Sequence, residues 1–348
     1  MPLAGHGLRP RTLRRRASRP QLKRDPLGAS HPRFIHVLPM RPSWLLSLAL
    51  ACTARGDGLP SEAVVTPIKV ADFPGYSEGI VFDAAGMAYA SVGRNPDSPH
   101  AVYRLQREHP PVAWVALRIP NGHKVLRDGS HVIAAEGVIV HVAPTGRVLE
   151  SLTTAAVGEH LRRPNDIALD GHGGFYFTDP GLPDSGSHNG KLFYADSVFR
   201  IALVTGGFCY PNGLVVRVDG RLLYLDDNCN GRVYRIPIVR PGVIGRPAVL
   251  ATIPDSTDAG LDGMTLDEAG RIYIAHNGVG RVEVLDTLGR LLRRYQAGNL
   301  LASNVAFGGP TLGDLYVTGS PGAKSGPGAL FRLHLGVRGR SSSATPAP

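Results

Sequence analysis

From Glu78 onward the chain repeats a unit: a polar residue, an apolar run, a Gly- or Asp-containing turn and a second apolar run. The clearest copies open with Glu78-Gly-Ile-Val-Phe-Asp, Asn165-Asp-Ile-Ala-Leu-Asp, Asn212-Gly-Leu-Val-Val-Arg and Asp262-Gly-Met-Thr-Leu-Asp, and weaker ones begin at His123 and Asn304. Short apolar runs bounded by turn residues read as β-strands. Asp128-Gly129, Asp170-Gly171 and Asp219-Gly220 supply the positive φ that tight hairpins need. A third strand is predicted in each copy, at Val102-Tyr-Arg-Leu, Val138-Ile-Val-His-Val, Val198-Phe-Arg-Ile, Val233-Tyr-Arg-Ile, Val282-Glu-Val-Leu and Leu330-Phe-Arg-Leu.

The six copies start 45, 42, 47, 50 and 42 residues apart, and long amphipathic helical patterns are nearly absent. Periods of about 40–50 residues built from short strands predict an all-β fold, a six-bladed β-propeller. A pair of β-sandwiches would need six in-register copies by coincidence. Residues 64–70 are expected to add an outer strand that closes the ring. The propeller then covers 56–336, and a Ser/Pro-rich tail, 337–348, is expected to be disordered.

With 43% hydrophobic and 19% charged residues in 348, the chain has ample material for a core, which excludes natively disordered and collagen-like classes. No apolar run reaches the roughly 18 residues of a membrane-spanning helix. The formal charge of +10 suggests nucleic acid until it is located. Residues 1–41 hold ten basic side chains and one acid, which leaves 28 basic and 27 acidic residues in the rest, so a nucleic-acid-binding face on the body is unsupported.

The stretch Met40–Cys52, one positive charge followed by an apolar run and Ala49-Leu50-Ala51, reads as a signal peptide within 40–55. Residues 1–39 are then a basic leader or lie upstream of the natural start. Cys52 directly after Ala51 offers a lipoprotein alternative. The expected location is periplasmic or secreted, against the alternative of a cytoplasmic protein with an unstructured N-terminal tail. Cys209 and Cys229 either pair in an oxidising compartment or stay as buried thiols.

In a propeller the innermost strands of all blades begin at one end of the central channel, so equivalent repeat positions converge on one mouth. Here those positions read Glu78, His123, Asn165, Asn212, Asp262 and Asn304, all polar. Taken singly, Asn-Gly and Asp-Gly are common turn pairs; their convergence points to a site. Oxygen ligands without thiolates select a hard cation: Glu78 and Asp262 supply two charges and Asn212 a carbonyl oxygen, a set that suits Ca²⁺ better than Zn²⁺. Mg²⁺ and Mn²⁺ remain alternatives, and Zn²⁺ a weaker one.

At these residues the chain resembles the senescence marker protein (regucalcin)/gluconolactonase family. The motifs are Arg163-Pro-Asn165-Asp, Phe177-Thr-Asp-Pro180, Tyr210-Pro-Asn212-Gly-Leu, Leu261-Asp262-Gly-Met-Thr and Ser303-Asn304-Val-Ala-Phe-Gly-Gly, and the resemblance covers about residues 65–335. It implies a six-bladed propeller with one divalent metal at the channel mouth, held by Glu78, Asn212 and Asp262, and hydrolysis of a sugar lactone with Asp262 as general base. Arg163, Asn165, His123 and Asn304 would bind the substrate, with His123 lining the same mouth. Two departures stand out: Ser77-Glu-Gly-Ile80 where the family has Glu-Gly-Pro, and a loop at 181–193 with no residue that matches the family's substrate wall. Hydrolysis of phosphotriesters at the same site is one alternative. A non-catalytic propeller that binds a sugar, a partner protein or Ca²⁺ is another. No Gly-x-Ser-x-Gly element supports a serine hydrolase.

Overall fold

The computed structural model describes residues 57–93, 100–106, 109–156, 158–182, 188–254, 260–323 and 326–341. The leader 1–39, the expected signal peptide at 40–55 with Cys52, and residues 342–348 of the tail lie outside the described residues.

The six copies form six antiparallel sheets. Their innermost strands are Ser77–Phe82, His123–Val125, Ile167–Leu169, Pro211–Val216, Gly260–Leu266 and Leu301–Gly308, and each is followed outward by the next strands in chain order. The first blade continues through Ala88–Val92, Ala101–Gln106 and His109–Ala116, a pattern that the second, third and fifth blades share. The fourth carries an additional short strand, Val243–Ile244, against Arg232–Arg240. The sixth blade has only three strands of its own and takes its fourth from the other end of the chain: Ile68–Phe73 pairs antiparallel with Gly328–His334, from Ile68 opposite Arg332 to Phe73 opposite Gly328. The closing strand expected at 64–70 meets it only at 68–70, because Glu62–Val64 forms a 3₁₀ turn and the ladder begins at Ile68. It joins the two ends of the propeller and leaves no open seam between first and last blades.

Apolar residues fill the gaps between neighbouring blades. One cluster joins Val81, Tyr89 and Val102 of the first blade to Ile133, Val140 and Val142 of the second. Another joins Phe73, Ile80 and Phe82 to Ala306 and Leu330 across the closure. Because both faces of each blade are covered, the strands read as near-continuous apolar runs. Among the described residues the only helices are the 3₁₀ turns Glu62–Val64 and Asn228–Asn230, and no helix is long and apolar enough to cross a membrane.

Two expectations need correcting. In the third blade the third strand is Gly190–Ala195, whereas Val198-Phe-Arg200 falls on the connection before the fourth strand and Ile201 opens that strand, Ile201–Phe208. The Asp196 carboxylate accepts N–H bonds from Val198 and Arg200 and so holds that segment as a turn. The C-terminal segment is also ordered through Ser341. Glu268 N–H donates to Arg338 O at 2.9 Å, Arg340 N–H donates to Leu266 O at 2.9 Å, and Val337 packs on the core between the fifth and sixth blades.

Candidate metal centre

Each innermost strand carries the same irregularity at its start. In the first blade Ser77 faces Val92 and Ile80 faces Ala90, so Glu78 and Gly79 together stand opposite the single residue Ser91. The same two-against-one arrangement sets Asn212-Gly213 against Asp226, Asp262-Gly263 against Ala275, and Ser303-Asn304 against Thr318. The second and third blades repeat it through backbone bonds, Asn121 N–H to Ala134 O at 2.7 Å and Asn165 N–H to Thr178 O at 2.8 Å. These are β-bulges, which bend a strand and re-aim its side chains.

The bulges set the register between blades. The ring of equivalent residues is Glu78, Asn121, Asn165, Asn212, Asp262 and Ser303, all buried or nearly so. Four expected members, Glu78, Asn165, Asn212 and Asp262, hold this position. His123 and Asn304 do not. His123 lies two residues further along, opposite Ile133, in the interface between the first two blades, where its ring packs with Tyr89, Trp114 and His131. Asn304 lies one residue further, in a second tier made of Gly79, Gly122, Asp166, Gly213, Gly263 and Asn304.

The four glycines of this tier are required by close approach. A Cβ on Gly79 would stand 2.4 Å from Asn121 O, and one on Gly213 would stand 2.3 Å from Asp262 O. A Cβ on Gly263 would strike the Asn304 carboxamide itself. Asp166 and Asn304 are the tier's two large members, on opposite blades, and each accepts the N–H of the next residue with its own Oδ1, at 2.8 Å and 2.9 Å. Lys124, next to His123 but on the other face of the strand, brings its ammonium 3.7 Å from Asp166 Oδ1.

Carboxylates on the neighbouring strands hold the approach to the ring. Asp179 accepts the N–H groups of Arg162 and Arg163 at 2.7 and 2.9 Å, which fixes the Arg163-Pro-Asn165 turn. Asp227 does the same for Tyr210-Pro-Asn212, accepting from Tyr210 at 2.6 Å and Cys209 at 3.1 Å. Cys209 and Cys229 are joined in a disulfide with a Cα–Cα distance of 6.1 Å, which ties this turn to the end of the next strand. Asn277 Nδ2 donates to Tyr76 Oη at 2.7 Å and Ala302 O at 3.2 Å, with Asp262 Oδ2 at 3.5 Å, and so links three blades at the ring.

The charges are set by burial. Asp226 is pushed well above the usual carboxylate range, first by loss of solvent and then by the nearby charges of Asp262, Asp166 and Asp227. Asp166 rises by burial against the opposing pull of Lys124. His123 is held neutral by burial, and burial lowers His131 to about 4.

The residues fit a hard cation. The donor set of the ring is oxygen throughout, and two of its buried carboxamide oxygens, Oδ1 of Asn121 and Oδ1 of Asn212, are left without hydrogen-bond donors. Glu78, Asn212 and Asp262 would hold such an ion. The Cys209, Asp227 and Cys229 side chains also cluster, but the two sulfurs are bonded to each other and Asp227 is committed to backbone N–H groups.

The sequence profile of the SMP-30/Gluconolactonase/LRE-like region matches residues 77–320, which run from the first ring bulge to the end of the sixth blade's second strand. The chain belongs to this family. Among its relatives is Pentonolactonase XacC of Haloferax volcanii, 30% identical over 63% of this chain and 77% of that protein. The 6-deoxy-6-sulfogluconolactonase of Pseudomonas putida is 29% identical over 63% of this chain and 75% of its own length. Of solved structures, the calcium-binding regucalcin of Agrobacterium tumefaciens shares the fold with a TM-score of 0.68 at 21% identity, over 80% of this chain and 98% of that one. The gluconolactonase of Xanthomonas campestris superposes with a TM-score of 0.65 at 22% identity, over 79% and 91%.

The family member described here has ring residues that the repeat alone had misplaced. Asn121 and Ser303 were concealed by aligning the weaker copies on His123 and Asn304. The signal was present in Asn121-Gly122, which matches Glu78-Gly79, Asn212-Gly213 and Asp262-Gly263.

Proposed function

We propose that this chain hydrolyses a sugar lactone at the ring mouth, with a divalent cation, Ca²⁺ in first place, held by Glu78, Asn212 and Asp262. The observation that supports this reading is the set of equivalent bulges, which gives Glu78, Asn121, Asn165, Asn212 and Asp262 the same position at the start of the innermost strands and leaves Oδ1 of Asn121 and of Asn212 buried and unpartnered. The lactonase relatives support the substrate class.

When bound, the cation supplies Lewis-acid polarisation of the lactone carbonyl. Asp262 accepts the proton of the attacking water as general base, a role worth about 10²–10⁴-fold in rate. Arg163, whose backbone is held by Asp179, and Asn165 beside it orient substrate oxygens. Ring opening gives the hydroxy acid. The Cys209–Cys229 bond and the Met40–Cys52 stretch together support export to an oxidising compartment.

The test is hydrolysis of an aldonolactone panel by chelator-stripped protein titrated with Ca²⁺, Mg²⁺, Mn²⁺ and Zn²⁺. Metal-restored turnover that Asp262→Ala abolishes is the expected result. Near-full activity of Asp262→Ala with the metal bound would remove the assignment of the base. No turnover with any metal, while thermal stability still rises on adding one, would leave a binding propeller.

A further inference from the structure

Each ring residue follows a residue whose backbone aims it. In the second, third and fourth blades that residue is Pro120, Pro164 and Pro211, and the proline ring fixes φ. The fifth, sixth and first blades have Leu261, Ala302 and Ser77 instead. There a side chain of the preceding blade takes hold of the carbonyl: Asn228 Nδ2 donates to Leu261 O at 2.7 Å, Asn277 Nδ2 to Ala302 O at 3.2 Å, and Ser303 Oγ to Ser77 O at 2.6 Å. A strand start without proline is thus tied across the blade boundary.

Asn228 opens the 3₁₀ turn Asn228–Asn230, directly after the fourth blade's second strand. Its backbone N–H donates to Tyr210 O at 2.9 Å, two residues before Asn212, while its carboxamide reaches the residue directly before Asp262. One residue therefore spans the starts of the two strands that carry Asn212 and Asp262. The turn is itself anchored, because Asn230 Nδ2 donates to Asp227 Oδ2 at 2.9 Å and the Cys209–Cys229 bond closes it onto the Tyr210 segment. The carboxamide is closely fitted, since a Cβ on Gly260 would stand 2.3 Å from Asn228 Nδ2. Asn277 holds the equivalent place in the fifth blade, whereas the first three blades have Gly93, Glu136 and Pro180 there, none of them a carboxamide, and each of these precedes a blade that has the proline. The tie is present where the proline is missing, which marks it as a device for aiming ring residues rather than for packing blades.

We propose that Asn228 is a positioning residue for the metal centre: by tying Leu261 O to the Tyr210 segment it sets Asn212 and Asp262 relative to each other and so raises the ring's affinity for a divalent ion. This rests on the reading that Asn212 and Asp262 hold such an ion. Asn228 carries no charge and acts through the backbone that aims the two side chains. Residues that orient ligands in this way typically change metal affinity by about 10–100-fold.

The test is calorimetric titration of chelator-stripped full-length protein with Ca²⁺, for wild type, for Asn228→Leu, which keeps the shape and removes the donor, and for Asn228→Ala, which decides the matter should the leucine variant lose its cooperative melt. Tyr194→Phe is the control for a purely structural bond, since its buried hydroxyl donates to Asp170 Oδ2 at 2.7 Å beside the Asp170-Gly171 hairpin, at the end of the blade away from the ring. Both Asn228 variants should bind Ca²⁺ about tenfold or more weakly. Tyr194→Phe should lower the melting temperature and leave Ca²⁺ affinity unchanged. Affinity within twofold of wild type in a folded Asn228 variant would overturn the inference, whatever its melting temperature. So would an equal loss of affinity in Tyr194→Phe, because affinity would then follow stability wherever it is lost. Should wild type itself bind no divalent cation, the cation reading falls and takes this inference with it, and that result is visible before any variant is made.

Discussion

The buried pair His123–His131 makes a prediction whose size follows from its geometry. His123 Nε2 and His131 Nδ1 are 2.7 Å apart, and a single hydrogen bond between them needs at least one neutral ring as acceptor. Burial lowers His131 to about 4, against opposing pulls from Asp83 and Asp128, and His123 is held well below the ordinary histidine value by burial first and then by His131 and Lys124. An unfolded histidine titrates near 6.5. The native state thus binds protons more weakly than the unfolded chain. The stability this contributes is complete above about pH 6.5 and is lost as pH falls toward about 4. For His131 alone, moving from pH 7.5 to pH 4.5 costs about 2.5 kcal/mol, and His123 adds to it with the same sign. Asp166 and Asp226 have raised values and so act with the opposite sign, which makes the difference from a matched variant the informative quantity. The assay is guanidinium unfolding of wild type and His123→Gln/His131→Gln at both pH values, followed by Trp114 emission, since that indole lies 4.5 Å from the His131 ring. The stability of wild type relative to the variant should fall by at least about 2.5 kcal/mol on acidification. A difference that stays the same at both pH values would refute the assignment of these histidines as neutral core groups.

Two further outcomes follow from the same geometry. Opening the Cys209–Cys229 bond, by reductant or by Cys209→Ser/Cys229→Ser, releases a loop of sequence separation 20 and should lower unfolding stability by about 3 kcal/mol in urea titration; an unchanged midpoint would show that the bond does not constrain the unfolded chain. Gly213→Ala puts a methyl group 2.3 Å from Asp262 O and should cost about 1–3 kcal/mol in thermal unfolding together with most of the turnover, whereas Gly322→Ala, with open space around it, should leave both unchanged.

How much of this was legible beforehand varies from element to element. The six first strands, the hairpin turns at Asp170-Gly171 and Asp219-Gly220 and the closing strand could be read from apolar periodicity and turn chemistry, because those signals are local. The third strand of the third blade could not: Val198-Phe-Arg-Ile is as apolar as its counterparts, and the Asp196 side chain decides that it turns. Glu78, Asn165, Asn212 and Asp262 were legible because each starts a strong copy. His123 was misplaced because the second copy opens with Asn121-Gly122, two residues before the assigned strand begins.

By itself the sequence determined the number of blades, the all-β class and the polar character of the positions that start each inner strand, since a repeat states these in every copy. Only the tertiary structure decided which of those polar side chains share a tier. That depends on the bulges, whose one extra residue shifts register, and on glycines whose hydrogens face the backbone of the next blade at distances no Cβ could occupy. Asp226, Asp179 and Asn277 belong to second strands and carry no periodic mark. They come to the ring because second strands pair with the bulged first strands and blades pack side by side, contacts between residues far apart along the chain.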